Sequence, residues 1–317
     1  MNILANDGLG SAGVEMLEAA GFKVITEKVE QDNLIDYING NQIVALLVRS
    51  ATVVRQDLID ACADLKFIGR GGVGMDNIDV AYAREHGKIV ANTPAASSQS
   101  VAELVFAHLF GICRMVHLSN REMPLKGHSD FKSLKKQYSK GVELRGKTLG
   151  IIGMGRIGRS VASYAMGIGM KVIAHDAMVN ETTIELDING QRLNFELSSS
   201  TMEEVLAQSD FISLHVPSQS EGKALIGKEE IDSMKDGVGL VNVSRGGIID
   251  ESALMDALDT GKVAMAALDV FDNEPTPNEA LLQHPNISLT PHIGAGTAEA
   301  QTRISTELAE IIIRELK

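Results

Sequence analysis

Leu149-Gly150-Ile151-Ile152-Gly153-Met154-Gly155-Arg156-Ile157-Gly158 is the stretch on which the fold turns. Its apolar start reads as a buried strand, its glycines are spaced G-x-G-x-x-G, and the segment after them is compatible with a helix. Each glycine has its own reason. Gly153 permits a tight turn, Gly155 lets the backbone approach a pyrophosphate, and Gly158 lets helix and strand pack closely. A helix over 155–166 then offers its unpaired N–H groups and partial positive charge to phosphates. Nearly half of the 317-residue chain precedes this motif, so a second domain has to be accommodated.

Working outward, Lys171-Val172-Ile173-Ala174 reads as the next strand, and Asp176 stands at its end. An acid about 20 residues beyond the glycines is placed to bind the adenosine ribose hydroxyls, and no Arg follows closely to take a 2′-phosphate. NAD is therefore expected over NADP. Further strands are predicted over 211–216, 239–243 and 264–269, with helices over 228–234, 251–260 and 297–316. Residues 1–95 also alternate strand and helix, starting with 2–5, 10–20, 23–26, 32–38 and the fully apolar run Ile43–Val48. This alternation implies parallel sheets covered on both faces. Residues 97–119 read as one long helix, and 120–146 as a short helix with loops carrying Lys132, Lys135 and Lys136.

Composition narrows the function. The net charge of −13 argues against non-specific binding of nucleic acid or anionic membranes. No apolar window approaches a membrane span, and Met1–Gly8 lacks the marks of a signal peptide. The two cysteines, Cys62 and Cys113, read as buried thiols of a reducing compartment, so a cytoplasmic location is expected. No metal is implied.

Reduction of a keto acid, or the reverse oxidation, requires a cation for the carboxylate and a proton carrier beside the carbonyl oxygen. Arg245 follows the strand Val241-Asn242-Val243-Ser244 and precedes Gly246-Gly247, a setting suited to bidentate capture of a carboxylate. Glu274, in Asp272-Asn273-Glu274-Pro275, can orient His292, in Thr290-Pro291-His292-Ile293-Gly294, as an acid–base group. Taken singly, the three read as a loop Arg, a solvated turn acid and a structural His.

With their flanks they read differently. Ser244-Arg245-Gly246-Gly247-Ile248-Ile249-Asp250, Ala267-Leu268-Asp269-Val270-Phe271 with Glu274-Pro275, and Pro291-His292-Ile293-Gly294 resemble the D-2-hydroxyacid dehydrogenase family. Gly69-Arg70-Gly71-Gly72-Val73-Gly74-Met75-Asp76-Asn77-Ile78-Asp79, Asn92-Thr93-Pro94 and His215-Val216-Pro217 extend the likeness over nearly the whole chain. The resemblance implies that Arg245 binds substrate and that His292, paired with Glu274, is the acid–base group. It implies a cofactor site of Val73, Gly153, Gly155, Arg156, Ile157, Gly158, Asp176, His215, Val216, Pro217, Val243, Ser244, Asp269, His292 and Gly294.

Within the family the likeness runs to the phosphoglycerate-oxidising branch, through Val48-Arg49-Ser50-Ala51-Thr52 and the 69–79 loop. That implies a substrate site of Arg49, Ser50, Arg70, Gly71, Gly72 and Val73 together with Arg245 and His292, the backbone N–H groups of 71–73 holding the carboxylate. Lys132, Lys135 and Lys136 would add positive charge or form a solvated patch. The implied fold is two doubly wound α/β domains, a Rossmann NAD-binding domain (96–292) inserted into a flavodoxin-like substrate domain (1–95 and 293–317). Substrate and nicotinamide would meet between the lobes, and the long helix would mediate a homodimer. The chain stops at Lys317, so the C-terminal serine-sensing domain of many relatives is expected to be missing. The expected reaction is NAD-dependent oxidation of 3-phospho-D-glycerate to 3-phosphohydroxypyruvate. Alternatives are a glyoxylate or hydroxypyruvate reductase and, further off, a non-catalytic NAD-sensing protein.

Overall fold

A computed structural model describes residues 1–219 and 223–317. The chain divides into two compact units, Met1–Ser100 with Ala295–Lys317, and Val101–Gly294.

In the first unit, β1 (Asn2–Ala5), β2 (Lys23–Ile25), β3 (Ile43–Val48), β4 (Phe67–Arg70) and β5 (Ile89–Asn92) form a parallel sheet in the order β2-β1-β3-β4-β5. This is the flavodoxin-type order. Side chains alternate across each strand, so successive residues supply two cores. Ile3, Ala5, Ala45, Leu47 and Phe67 pack with Leu17 of the helix Ser11–Ala19 and with Ala309 and Ile312 of the helix Ala298–Leu316. Leu4, Leu46 and Ile68 pack on the other face with Leu34, Ile38, Leu58 and Ile59. The C-terminal helix lies so close to the first that a Cβ at Gly13 would meet the Ser305 carbonyl at 2.5 Å.

The second unit contains β6 (Thr148–Ile152), β7 (Lys171–His175), the antiparallel pair β8 (Glu181–Ile188) and β9 (Gln191–Ser198), then β10 (Phe211–Leu214), β11 (Val238–Asn242), β12 (Val263–Leu268) and β13 (Ile287–Leu289). Six of these make a parallel sheet in the order β13-β12-β11-β10-β6-β7. The order reverses between β6 and β10, and the crevice at the carboxyl ends of strands at such a switch is where ligands bind in open α/β sheets. The α/β class and the doubly wound parallel sheets are as the sequence implies.

One expectation needs correction. The helix expected over 97–119 is broken into Ser98–Cys113 and Val116–Lys126, bent by 59°. Met115 adopts φ +51°, and the Cys113 carbonyl turns out of the helix to accept the Val142 N–H at 2.9 Å. The hairpin β8–β9 was not anticipated. It folds because Thr182, Ile184 and Leu186 alternate with polar residues ahead of Asn189-Gly190, which both take positive φ as a tight hairpin turn requires. Among the described residues no single helix is long and apolar enough to cross a membrane.

Candidate active site

The glycine fingerprint joins β6 to the helix Arg156–Gly167. Gly153 has φ +102°, and a Cβ there would strike the His215 carbonyl, so the turn admits only glycine. A Cβ at Gly158 would overlap the Gly153 carbonyl, which fixes the close packing of helix on strand. Gly155 is different: a Cβ there would meet nothing within 4 Å. The space in front of Gly155 and the helix N-terminus at Arg156 is thus kept clear, as a backbone cradle for a pyrophosphate requires. Arg156 is exposed there, and Ile157 packs against the core.

Asp176 closes this crevice from the end of β7. Its Oδ2 accepts the Met154 N–H at 2.6 Å, and its Oδ1 accepts the N–H groups of Met178 (2.8 Å) and Val179 (3.0 Å). Partial burial opposes ionisation, but these backbone donors outweigh it and hold the pKa below the usual carboxylate value. The acid therefore stays charged, with lone-pair capacity left for ribose hydroxyls, and it also ties the glycine turn to β7.

Across the switch point, the half-buried His215 follows β10, with Val216 half-buried and Pro217 exposed after it. Its Nε2 lies 2.8 Å from Ser213 Oγ, and desolvation pushes its pKa far below the histidine range, so the ring is neutral.

Arg245 sits in the turn after β11, together with the buried Val243 and Ser244. The turn is shaped by Asn242, a buried residue that sequence reading passed over. Asn242 donates Nδ2–H to the Arg245 carbonyl at 2.8 Å, and its Oδ1 accepts from Ser244 N–H (3.0 Å) and Oγ–H (2.8 Å). An amide at the end of an otherwise apolar strand was the signal for this role.

His292 and Glu274, 18 positions apart, are brought together: Nδ1 of the imidazole lies 2.8 Å from Oε2 of the carboxylate. The other oxygen, Oε1, accepts the Phe271 N–H at 3.0 Å, which fixes the carboxylate's orientation. With Nδ1–H donated to Glu274, Nε2 is the ring atom left to exchange a proton with a ligand. His292 has φ +55°, a conformation that costs a non-glycine residue on the order of 1 kcal/mol or more. It is held there by Asp269. That carboxylate, fully buried at the end of β12, accepts the N–H groups of Ile293 (2.8 Å) and Gly294 (2.9 Å) and the Thr290 hydroxyl (2.6 Å). Asp269, expected as a cofactor contact, thus anchors the loop that carries His292.

The remaining expected residues lie in the first unit. Arg49, exposed Ser50 and Gly71 follow the carboxyl ends of β3 and β4, beside a cavity of about 230 Å³ that Asp7, Arg49, Gly71, Gln301 and Ser305 help to line. Of the three N–H groups expected to hold a carboxylate, those of Gly71 and Gly72 are engaged within the chain. Gly71 N–H is bonded to the Val48 carbonyl (2.9 Å) and Gly72 N–H to the Arg70 carbonyl (3.0 Å), while the Val73 carbonyl accepts Asn92 Nδ2–H at 2.6 Å. Asp7 was missed in the sequence. It accepts the Arg49 N–H (2.6 Å), the Thr52 N–H (3.0 Å) and the Thr52 hydroxyl (2.7 Å) and pairs with Lys28 at 2.7 Å. Burial works against its charge, but these partners lower its pKa overall.

Residues 106–294 match the family described as D-isomer specific 2-hydroxyacid dehydrogenase, NAD binding domain. A hydroxypyruvate reductase of Thermotoga maritima is 43% identical over 316 residues, covering 98% of this chain and 97% of its own. A D-3-phosphoglycerate dehydrogenase of Bacillus subtilis is 39% identical over 99% of this chain, which spans 57% of that relative's length. The chain spans little more than half of several such phosphoglycerate dehydrogenases. Among solved structures, a glyoxylate reductase from Paecilomyes thermophila matches with a TM-score of 0.82 and 30% identity, covering 100% of this chain and 96% of its own. A fingerprint shaped to receive a dinucleotide, a Glu–His pair beside an Arg-bearing turn, a family match over more than half of the chain and a relative 43% identical along nearly its whole length lead to one conclusion: the chain belongs to the D-isomer specific 2-hydroxyacid dehydrogenases and binds NAD.

Proposed function

We propose that the protein oxidises 3-phospho-D-glycerate to 3-phosphohydroxypyruvate with NAD, the entry to serine synthesis. The nicotinamide of bound NAD supplies the hydride acceptor. His292 takes the C2 hydroxyl proton on Nε2, and the observation that carries this role is the 2.8 Å bond between Nδ1 and Glu274. Glu274 keeps the ring oriented and stabilises the imidazolium that forms. Arg245 pairs with the substrate carboxylate and the developing carbonyl. Arg49, whose backbone is gripped by Asp7, serves the phosphate end together with Ser50 and Arg70, and the Val73 N–H serves the carboxylate. In the cofactor site, Gly153, Gly155 and Gly158 cradle the pyrophosphate, Asp176 holds the ribose, and the His215–Pro217, Val243–Ser244 and Asp269–Gly294 segments frame the nicotinamide. Residues 1–95 with 293–317 act as the substrate domain and 96–292 as the cofactor domain. The exposed apolar residues Phe110, Val116, Leu125 and Phe131 support a homodimer built on this segment.

A reductase acting on hydroxypyruvate is the second reading, favoured by the near-complete mutual coverage with the Thermotoga maritima protein. The two readings part at Arg49, which has a phosphate to bind only in the first. Steady-state rates with 3-phosphoglycerate, D-glycerate, D-lactate and 2-hydroxyglutarate decide between them. A higher kcat/KM for any unphosphorylated acid overturns the first reading.

A further inference from the structure

We propose that His108, on a helix that bears none of the candidate catalytic residues, is a positioning residue that organises the hydrogen-bond chain holding His292 in place. This rests on the reading of His292 as the acid–base group. His108 is 4% exposed, with Nδ1 3.0 Å from Ser288 Oγ and Nε2 3.0 Å from Thr290 Oγ1. Counting protons gives the chain a direction. Thr290 has one hydroxyl proton and donates it to Asp269 Oδ1 at 2.6 Å. His108 must therefore donate Nε2–H to Thr290 and accept the Ser288 proton at Nδ1. A neutral imidazole protonated on Nε2 is the form that does both, and burial, which lowers the pKa of His108 despite the nearby Asp269, favours that neutral form. Donors thus run Ser288 to His108 to Thr290 to Asp269, and Asp269 grips the two peptide N–H groups that follow His292.

Bonds in such a chain polarise one another, and a buried group deprived of its partner is costly. Without His108, both Thr290 and Ser288 lose a buried partner, and the left-handed conformation of His292 loses part of its support.

The test pairs His108→Leu with His108→Gln, which keeps an N–H donor able to reach Thr290. Thr290→Val and Thr290→Ser repeat the comparison one link further on, should the Leu variant fold poorly. The first readout is amide hydrogen exchange at Ile293 and Gly294, which needs no activity. Exchange at both is expected to accelerate roughly tenfold in the Leu and Val variants and to stay near wild type in the Gln and Ser variants. The second is NADH-dependent reduction of 3-phosphohydroxypyruvate or hydroxypyruvate, whichever the wild type turns over. There kcat is expected to fall about tenfold with little change in the KM for NADH, and to recover with Gln or Ser. Unchanged exchange in both disrupting variants overturns the proposal, as does acceleration that spreads equally to Leu240 in β11. If local exchange rises as expected while His292→Gln keeps full turnover, the positioning chain stands and the acid–base reading fails.

Discussion

Gly246 lies directly against the carbonyl of Phe271: a Cβ at Gly246 would overlap that carbonyl, so the Arg245 turn and the Glu274 turn pack backbone to backbone. The contact is reinforced on both sides. Gly247 N–H donates to Asp272 Oδ1 at 2.5 Å, and Asp272 N–H donates to Glu251 Oε1 at 3.0 Å. Substituting Gly246→Ala is expected to destabilise the protein at or above the upper end of the roughly 1–3 kcal/mol typical of overpacking. Urea denaturation measures this, and the residual activity should fall further than the folded fraction because Arg245 and Glu274 are displaced together.

The Glu274–His292 pair makes a graded prediction. His292→Gln should lower kcat by about 10²–10⁴, the usual worth of acid–base catalysis. Glu274→Gln keeps one oxygen that can still accept Nδ1–H, although its NH2 then faces the Phe271 N–H, so its loss should be smaller than that of His292→Gln, and it should appear in kcat with a pH–rate profile displaced from that of the wild type. Equal losses for the two variants would mean that the negative charge on Glu274, and not only its orienting hydrogen bond, is indispensable to His292.

Much of this site was legible in the sequence because strand ends are. Apolar runs such as Val238–Asn242 and Val263–Leu268 announce buried parallel strands, and residues just beyond their carboxyl ends, Arg245 and Asp269 among them, fall where ligands gather. What could not be read is who holds those residues. Asp7 and His108 act through partners 42 and 182 positions away, and no spacing rule encodes such distances; Asn242 acts on Arg245 only 3 positions on, and its signal is the amide that ends an apolar strand. The hairpin is another matter. Asn189-Gly190 between alternating segments is a strong local turn signal, and the sequence does carry it. The break at Met115 has no comparable signal, because it follows from the Cys113 carbonyl being diverted to Val142.

Asp7 predicts a pH dependence. Its side chain is 5% exposed, and its pKa in the folded chain lies below the ordinary 3.8. A carboxylate with a depressed folded pKa contributes stability that is fully present above its unfolded pKa and is lost as pH falls through the folded value. The wild type should therefore lose this contribution only below about pH 4, whereas Asp7→Asn should lack it already at pH 7 and show a flatter acid limb. The expected cost at neutral pH is about 1.5–3 kcal/mol, the worth of a hydrogen bond to a charged group. The KM for the substrate acid should rise too, because Asp7 holds the Arg49 backbone. A variant whose acid limb matches that of the wild type would rule this role out.

Gly155 and Gly158 separate cofactor binding from folding. Three positions apart, they face opposite demands. A Cβ at Gly158 would run into the Gly153 carbonyl, whereas a Cβ at Gly155 would enter open space. Gly158→Ala is therefore expected to lower stability by several degrees in Tm, with NAD affinity lost as a consequence. Gly155→Ala should melt within about a degree or two of the wild type, yet bind NAD roughly tenfold or more weakly, because the methyl group occupies the place of the pyrophosphate. Thermal denaturation without cofactor, together with NADH fluorescence titration, distinguishes the two. Normal NADH affinity in Gly155→Ala would mean that the diphosphate does not lie against this turn.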